Sequence, residues 1–156
     1  RAGGQPTTDL SCMSKNKKET ELEERIKHLE SELEREKLRA DLWQKIKVEL
    51  EAHAAAEEQV FYSELMEKPD GTDQSRHSVH EHQEMTKLIT ELDAMDQHAD
   101  VWLKKFETLK HKVIHHVDEE EADMFPLARK LVGADKANAM AEDFEKRKAA
   151  EAKNMC

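Results

Sequence analysis

The stretch HHVDEEEADMFP, residues 115–126, sets two histidines before four consecutive acids and closes on Met124-Phe125-Pro126. A purely solvated acidic run needs neither the histidines nor the apolar end. Tested as a helix that advances about 100° per residue, the stretch resolves. Trp102, Phe106, Leu109, Val113, Met124 and Leu127 define one narrow stripe, and His116 and Glu120 fall inside it. His115 and Glu119 lie about 100° away round the helix and are expected to face solvent. One His-Glu pair therefore points inward, and the remaining acids can be solvated.

A second stretch, HAAAEEQVFY at residues 53–62, repeats the pattern. Leu42, Ile46, Leu50 and Val60 mark its inward stripe, which takes in His53 and Glu57. On a third helix Met85, Ile89 and Leu92 mark the core, with His82 at the stripe's edge and His77 and His80 pointing away. Residues at i and i+4 are neighbours on one helix face, so each His-x-x-x-Glu aims an imidazole and a carboxylate at one point. Burying an ionised carboxylate is costly unless it is paired. No Lys or Arg falls between these residues on the same stripes, and a metal satisfies all five at once. A mixed carboxylate and imidazole set suits iron, manganese or zinc. Bundle helices lined by inward Glu and His are a known way to hold two ions. His77, His80, His98, His111 and His115 are expected to be exposed. Trp43, Trp102, Phe106, Phe61 and Tyr62 read as packing residues.

Composition agrees with helix. Of 156 residues, 38% are charged and 4% aromatic, with only 4 Gly and 3 Pro. Such a mix favours helices over sheets, and the length suits one domain with a real core. The net charge of -10 disfavours nucleic acid and anionic membranes as partners. No apolar run is long enough to span a membrane, and the N-terminus lacks an apolar signal core. Cys12 and Cys156 lie near opposite ends and form no CxxC, so a reducing, cytoplasmic setting is expected.

Along the chain, residues 1–17 are expected to be disordered and residues 18–156 to form the helical domain. Leu22, Ile26, Leu29 and Leu33 repeat at helical spacing in a first helix from about Glu19 to Leu38. Asp41-x-x-Gln44 reads as a capping box, which places a break near residues 38–41. A second helix follows from Leu42 to Met66, and KPDGTD at residues 68–73 is a strong turn signal. A third helix is expected from Ser75 to Met95, with a short break near Asp96, and a fourth from Ala99 to Phe125. Pro126 should kink or restart the chain, Gly133 should end a short turn, and a fifth helix should cover Asp135–Lys153. The predicted fold is all-α: an up-down-up-down four-helix bundle with a short C-terminal fifth helix. The capping box favours a first helix that folds back, which gives a monomer; one that stays extended gives a helix-swapped dimer.

LEAHAAAEEQVFY, VHEHQEMTKLI and VIHHVDEEEADMFPLAR resemble the hemerythrin-like, or HHE cation-binding, domain, over about residues 42–148. The resemblance implies a four-helix bundle holding two iron ions as a non-haem di-iron centre. His53, Glu57, His82, His116 and Glu120 would be its ligands, with Glu57 and Glu120 bridging and Glu58 an extra ligand. The family usually supplies a further histidine from the first helix. Here that helix carries only His28, 25 residues before His53 and about 130° from the centre of the leucine stripe. His28 is the candidate for that position, with Glu30 or Glu36 as substitutes. The function implied is a binding protein for dioxygen, peroxide or nitric oxide, serving oxygen or iron binding or sensing. An enzyme with peroxide-consuming or ferroxidase-like activity is the alternative, and a metal-free structural helical protein is the third reading.

Overall fold

The computed structural model describes residues 10–155, with side chains from Thr20 onward. Residues 1–9 of the segment expected to be disordered, and the side chains of Cys12 and Cys156, lie outside the described residues. Among the described residues every regular element is helical. The order is α1 (Leu10–Ala56), a π-helical segment (Glu57–Tyr62), α2 (Ser63–Met66), α3 (Pro69–Asp93), α4 (Asp100–Glu119), a second π segment (Glu120–Met124), α5 (Phe125–Val132) and α6 (Ala134–Met155). None of these helices is long and apolar enough to cross a membrane.

By its contacts the chain divides into two units, one ending at Leu42 and the other Trp43–Cys156. In the first, α1 runs without a turn through residues 38–41. The expected break there is not formed. Asp41 and Gln44 would suit a helix start, but neither they nor their neighbours prevent helix, and an unbroken helix satisfies each backbone N–H and C=O internally. Leu22, Ile26, Leu29 and Leu33 are all exposed along this unit.

The second unit is a bundle of four helical rods: the end of α1 with α2, then α3, then α4 with α5, then α6. Its first rod buries Trp43, Ala52 and Ala56, whereas Leu42 and Ile46 are exposed. The inward face is thus turned by one residue from the one read off the leucines. Two apolar layers form. Trp43, Met85, Ile89, Leu92, Trp102 and Leu109 make one. Tyr62, Leu65, Met124 and Ala128 make the other. Between them, on three rods, lie His53, Glu57, His82, His116 and Glu120. The last rod, α6, lies against the first: Lys148 pairs with Glu49 at 2.8 Å, and the Phe144 ring meets His53 at 5.1 Å.

The KPDGTD segment is a helix start rather than a loop. Lys68 is extended, Pro69 occupies the first turn where its missing N–H is no loss, and Asp70 complements the helix dipole. Asp96 makes the expected short break: its carboxylate accepts the His98 backbone N–H at 3.0 Å. Pro126 sits in the first turn of α5, directly after the second π segment, and Gly133 at φ 81° ends that helix.

Gly71 sits where a side chain cannot. A Cβ there would overlap the Leu65 carbonyl oxygen and lie 3.2 Å from Leu131 Cδ1. Gly71→Ala is expected to destabilise the fold by about 1–3 kcal/mol, less the few tenths that alanine gains in a first helical turn. A urea midpoint equal to or above wild type would contradict that close approach.

Candidate metal centre

The inner cluster is assembled by helix register. His53 and Glu57 lie one turn apart, as do His116 and Glu120. His53 Nε2 is 2.7 Å from Glu57 Oε1, and His116 Nε2 is 3.7 Å from Glu120 Oε2. Each glutamate is the first residue of a π-helical segment. The wider i→i+5 turn carries Tyr62 round to the same side as Glu57. The Tyr62 hydroxyl there donates to Glu120 Oε1.

Two outer carboxylates orient the buried imidazoles. Glu58 Oε1 accepts from His82 Nδ1 at 2.9 Å, and Glu81 Oε2 accepts from His116 Nδ1 at 2.7 Å. With the proton drawn to Nδ1, each ring offers the lone pair of Nε2 to the interior. The two Nε2 atoms are 2.9 Å apart. Two nitrogens held at a right angle about 2.1 Å from one ion would be about 3 Å apart. Glu57 Oε2 is also 3.2 Å from His82 Nε2, yet it is buried and makes no hydrogen bond. Its approach lacks hydrogen-bond alignment. An orphaned buried carboxylate oxygen facing two imidazole nitrogens is a donor set that fits a cation.

The ligand-type atoms fall into two triads, Glu57/His82/His116 and His53/Glu57/Glu120, each with all its atoms within 4.8 Å of one another. Glu57 belongs to both. Glu57, His82, His116 and Glu120 are buried, while the His53 side chain is 42% exposed. His53, Glu57 and Glu120 border a cavity of about 450 Å³ whose walls include Phe61, Phe125, Met140 and Phe144. The exposure of His53 and this cavity give the cluster an open side.

Without a cation, protons balance the carboxylates. Burial would raise Glu57, but the imidazoles of His53 and His82 outweigh it and hold the carboxyl down at about 2. Burial, together with the charge of Glu57, pushes Glu120 up to about 7 against the opposing hydrogen bond from Tyr62. The two neighbouring carboxyls thus divide into one ionised and one protonated group. His53 is raised by its hydrogen bond to Glu57, which overcomes its burial. His82 is lowered by burial but raised more by Glu57 and Glu58. Burial and both inner carboxylates raise the Tyr62 phenol.

Five of the seven residues singled out in the sequence therefore meet in one layer. Glu58 stands behind His82, on Nδ1, and belongs to neither triad. His28 is in the N-terminal unit, 59% exposed and 3.2 Å from Glu32. Two residues escaped the sequence reading. Glu81 could have been found as the acid of a further His-x-x-x-Glu, from His77. The Tyr62 hydroxyl could not, because five residues from Glu57 is off the face at α-helical pitch. The family model for the hemerythrin HHE cation-binding domain matches residues 17–128. No curated protein and no solved structure matches the chain.

Proposed function

Since the chain belongs to the hemerythrin HHE cation-binding domain family, and its His/Glu cluster fits a metal, we propose that it is a di-iron protein that binds a small molecule at the inner layer. The observation that carries the dinuclear reading is the sharing of Glu57 between two triads. His82 and His116 would hold one ion with Glu57, and His53 and Glu120 the other. Iron when bound would supply a ferrous–ferric couple and open coordination positions. Manganese or zinc suits the same atoms, but zinc would bring no redox couple.

The chain's own residues have separable tasks. Glu58 and Glu81 fix the tautomer and angle of His82 and His116. Tyr62 donates to Glu120 and so fixes one carboxylate oxygen, leaving the other to the cluster. The two apolar layers keep bulk water from the buried face. The cavity beside His53 admits a molecule the size of dioxygen, peroxide or nitric oxide. Carriage, sensing or iron binding uses only these parts. The enzyme reading, peroxide consumption or ferroxidase chemistry, needs a proton donor at the bound molecule. Candidate donors are His53, beside the cavity, and the Tyr62 hydroxyl, which donates to Glu120.

Elemental analysis of protein from iron-supplied cells is expected to give close to two metals per chain, mainly iron. An absorption band that appears with oxygen and disappears on its removal would support binding. Steady turnover of peroxide would support the enzyme. Folded protein that takes up no transition metal would remove the reading altogether.

A further inference from the structure

A third group of ligand-type atoms lies outside the inner layer, on the surface formed by α3 and α4. His77 and Glu81 are one turn apart on α3, and His115 and Glu119 are one turn apart on α4. The two pairs face each other. His77 Nε2 is 3.1 Å from Glu119 Oε2 and 3.6 Å from Glu81 Oε1. His115 Nε2 is 3.1 Å from Glu119 Oε1. Glu119 therefore has an imidazole at each oxygen, and the atoms of His77, Glu81 and Glu119 lie within 4.8 Å of one another.

We propose that His77, Glu81 and Glu119 form a peripheral site for a divalent transition metal of the zinc type, distinct from the inner layer, with His115 holding Glu119 from its other oxygen. The His77 imidazole argues against a calcium-type site, which takes oxygen ligands. One imidazole with two carboxylates is a borderline set that suits zinc, cobalt or nickel. The exposure of the imidazoles, 52% for His77 and 67% for His115, provides entry and room for water at the remaining positions. Glu81 is the most protected member at 15% exposure, and its two oxygens serve different sites. Oε2 holds His116 of the inner layer, and Oε1 faces His77. As an ion pair alone the group would have little worth, because exposed pairs contribute about 0–1 kcal/mol. With a cation, His77, Glu81 and Glu119 gain a common partner.

The test is a calorimetric titration of metal-free full-length protein with zinc at neutral pH. The doubly substituted His77→Ala/His115→Ala protein is expected to bind one equivalent fewer than wild type. Each single substitution should weaken that equivalent about tenfold or more. His80→Ala and His111→Ala, at exposed histidines outside the group, should bind as wild type. Circular dichroism of the doubly substituted protein should match wild type, since both side chains are on the surface. Equal stoichiometry in wild type and double variant would overturn the proposal. If wild type bound only the equivalent that the double variant lacks, the peripheral site would stand and the inner reading would fall.

Discussion

His116→Ala is expected to empty the inner layer of iron and to destabilise the metal-free fold, whereas His115→Ala should leave both close to wild type. The residues are adjacent and chemically identical, so the contrast isolates direction. His116 is buried, its Nδ1 holds Glu81, and its Nε2 meets His82. Alanine there removes one inner nitrogen, leaves Glu81 Oε2 without its partner and takes a neighbour from His82 Nε2 and Glu120. Leaving such groups unpaired costs about 1–3 kcal/mol. Loss of a ligand should weaken metal binding by at least the roughly 10–100-fold that loss of an outer partner brings. His115 is 67% exposed and, among the described residues, pairs with Glu119, a contact of the kind worth about 0–1 kcal/mol. Iron content after purification and thermal midpoints of the metal-free proteins measure both effects. Equal losses in the two variants would show that the helix faces are misassigned.

The second large effect is a pH dependence that metal should abolish. In the metal-free protein Glu120 sits at about 7, above its ordinary value. The folded state therefore binds more protons than the unfolded state as pH rises from the ordinary carboxyl range to about 7, and stability falls across that window. His53 and His82 are also raised. Their contribution is fully present below the ordinary imidazole value and is lost as pH rises through their folded values. Glu57, held at about 2, acts in the opposite sense: its contribution is present above the ordinary carboxyl value and lost as pH falls toward 2. Each tenfold change in proton affinity on folding is worth about 1.4 kcal/mol, so metal-free protein is expected to be most stable near pH 5 and to lose about 2 kcal/mol or more by pH 8. Bound metal replaces those protons, so its protective effect should grow with pH. Thermal midpoints of metal-free and metal-loaded protein across pH 4–8 test this. Parallel curves would mean that the inner groups are not what metal neutralises.

Much of the inner layer was legible because two signals coincided. His-x-x-x-Glu recurs on two segments, and both copies fall on apolar stripes. The all-helical fold followed from scarce Gly and Pro and a helical apolar period. Other features hid for identifiable reasons. Asp41 and Gln44 suit a helix interior as well as a helix start, so the capping pattern did not decide against an unbroken α1. Leu42 and Ile46 outvoted Trp43 in setting the inward face, yet Trp43 is buried and reaches Asp93 with its indole N–H at 2.8 Å. Trp43 carries the larger apolar surface and a polar handle that needs a partner. Pro69 and Gly71 read as a turn because sequence alone does not show that Gly71 has to pass the Leu65 carbonyl. Glu81 hid because an acid beside a histidine gives no sign of which ring nitrogen it will meet.

The two π segments bear on how this chain can change length. A turn closed from i to i+5 holds one residue more than an α turn, which is what a single-residue insertion into a helix leaves behind. The extra residue is absorbed where it enters, so the helix beyond it keeps its face. Losing one residue from Gln59–Phe61 would restore α pitch and still leave Leu65 pointing inward. The same loss from Trp102–Leu109 would rotate everything after it by about 100°, His116 and Glu120 included. Relatives of this protein that differ by one residue in these rods should therefore carry the gap just after Glu57 or Glu120, and comparisons that count residues across those points will misjudge which side chains correspond.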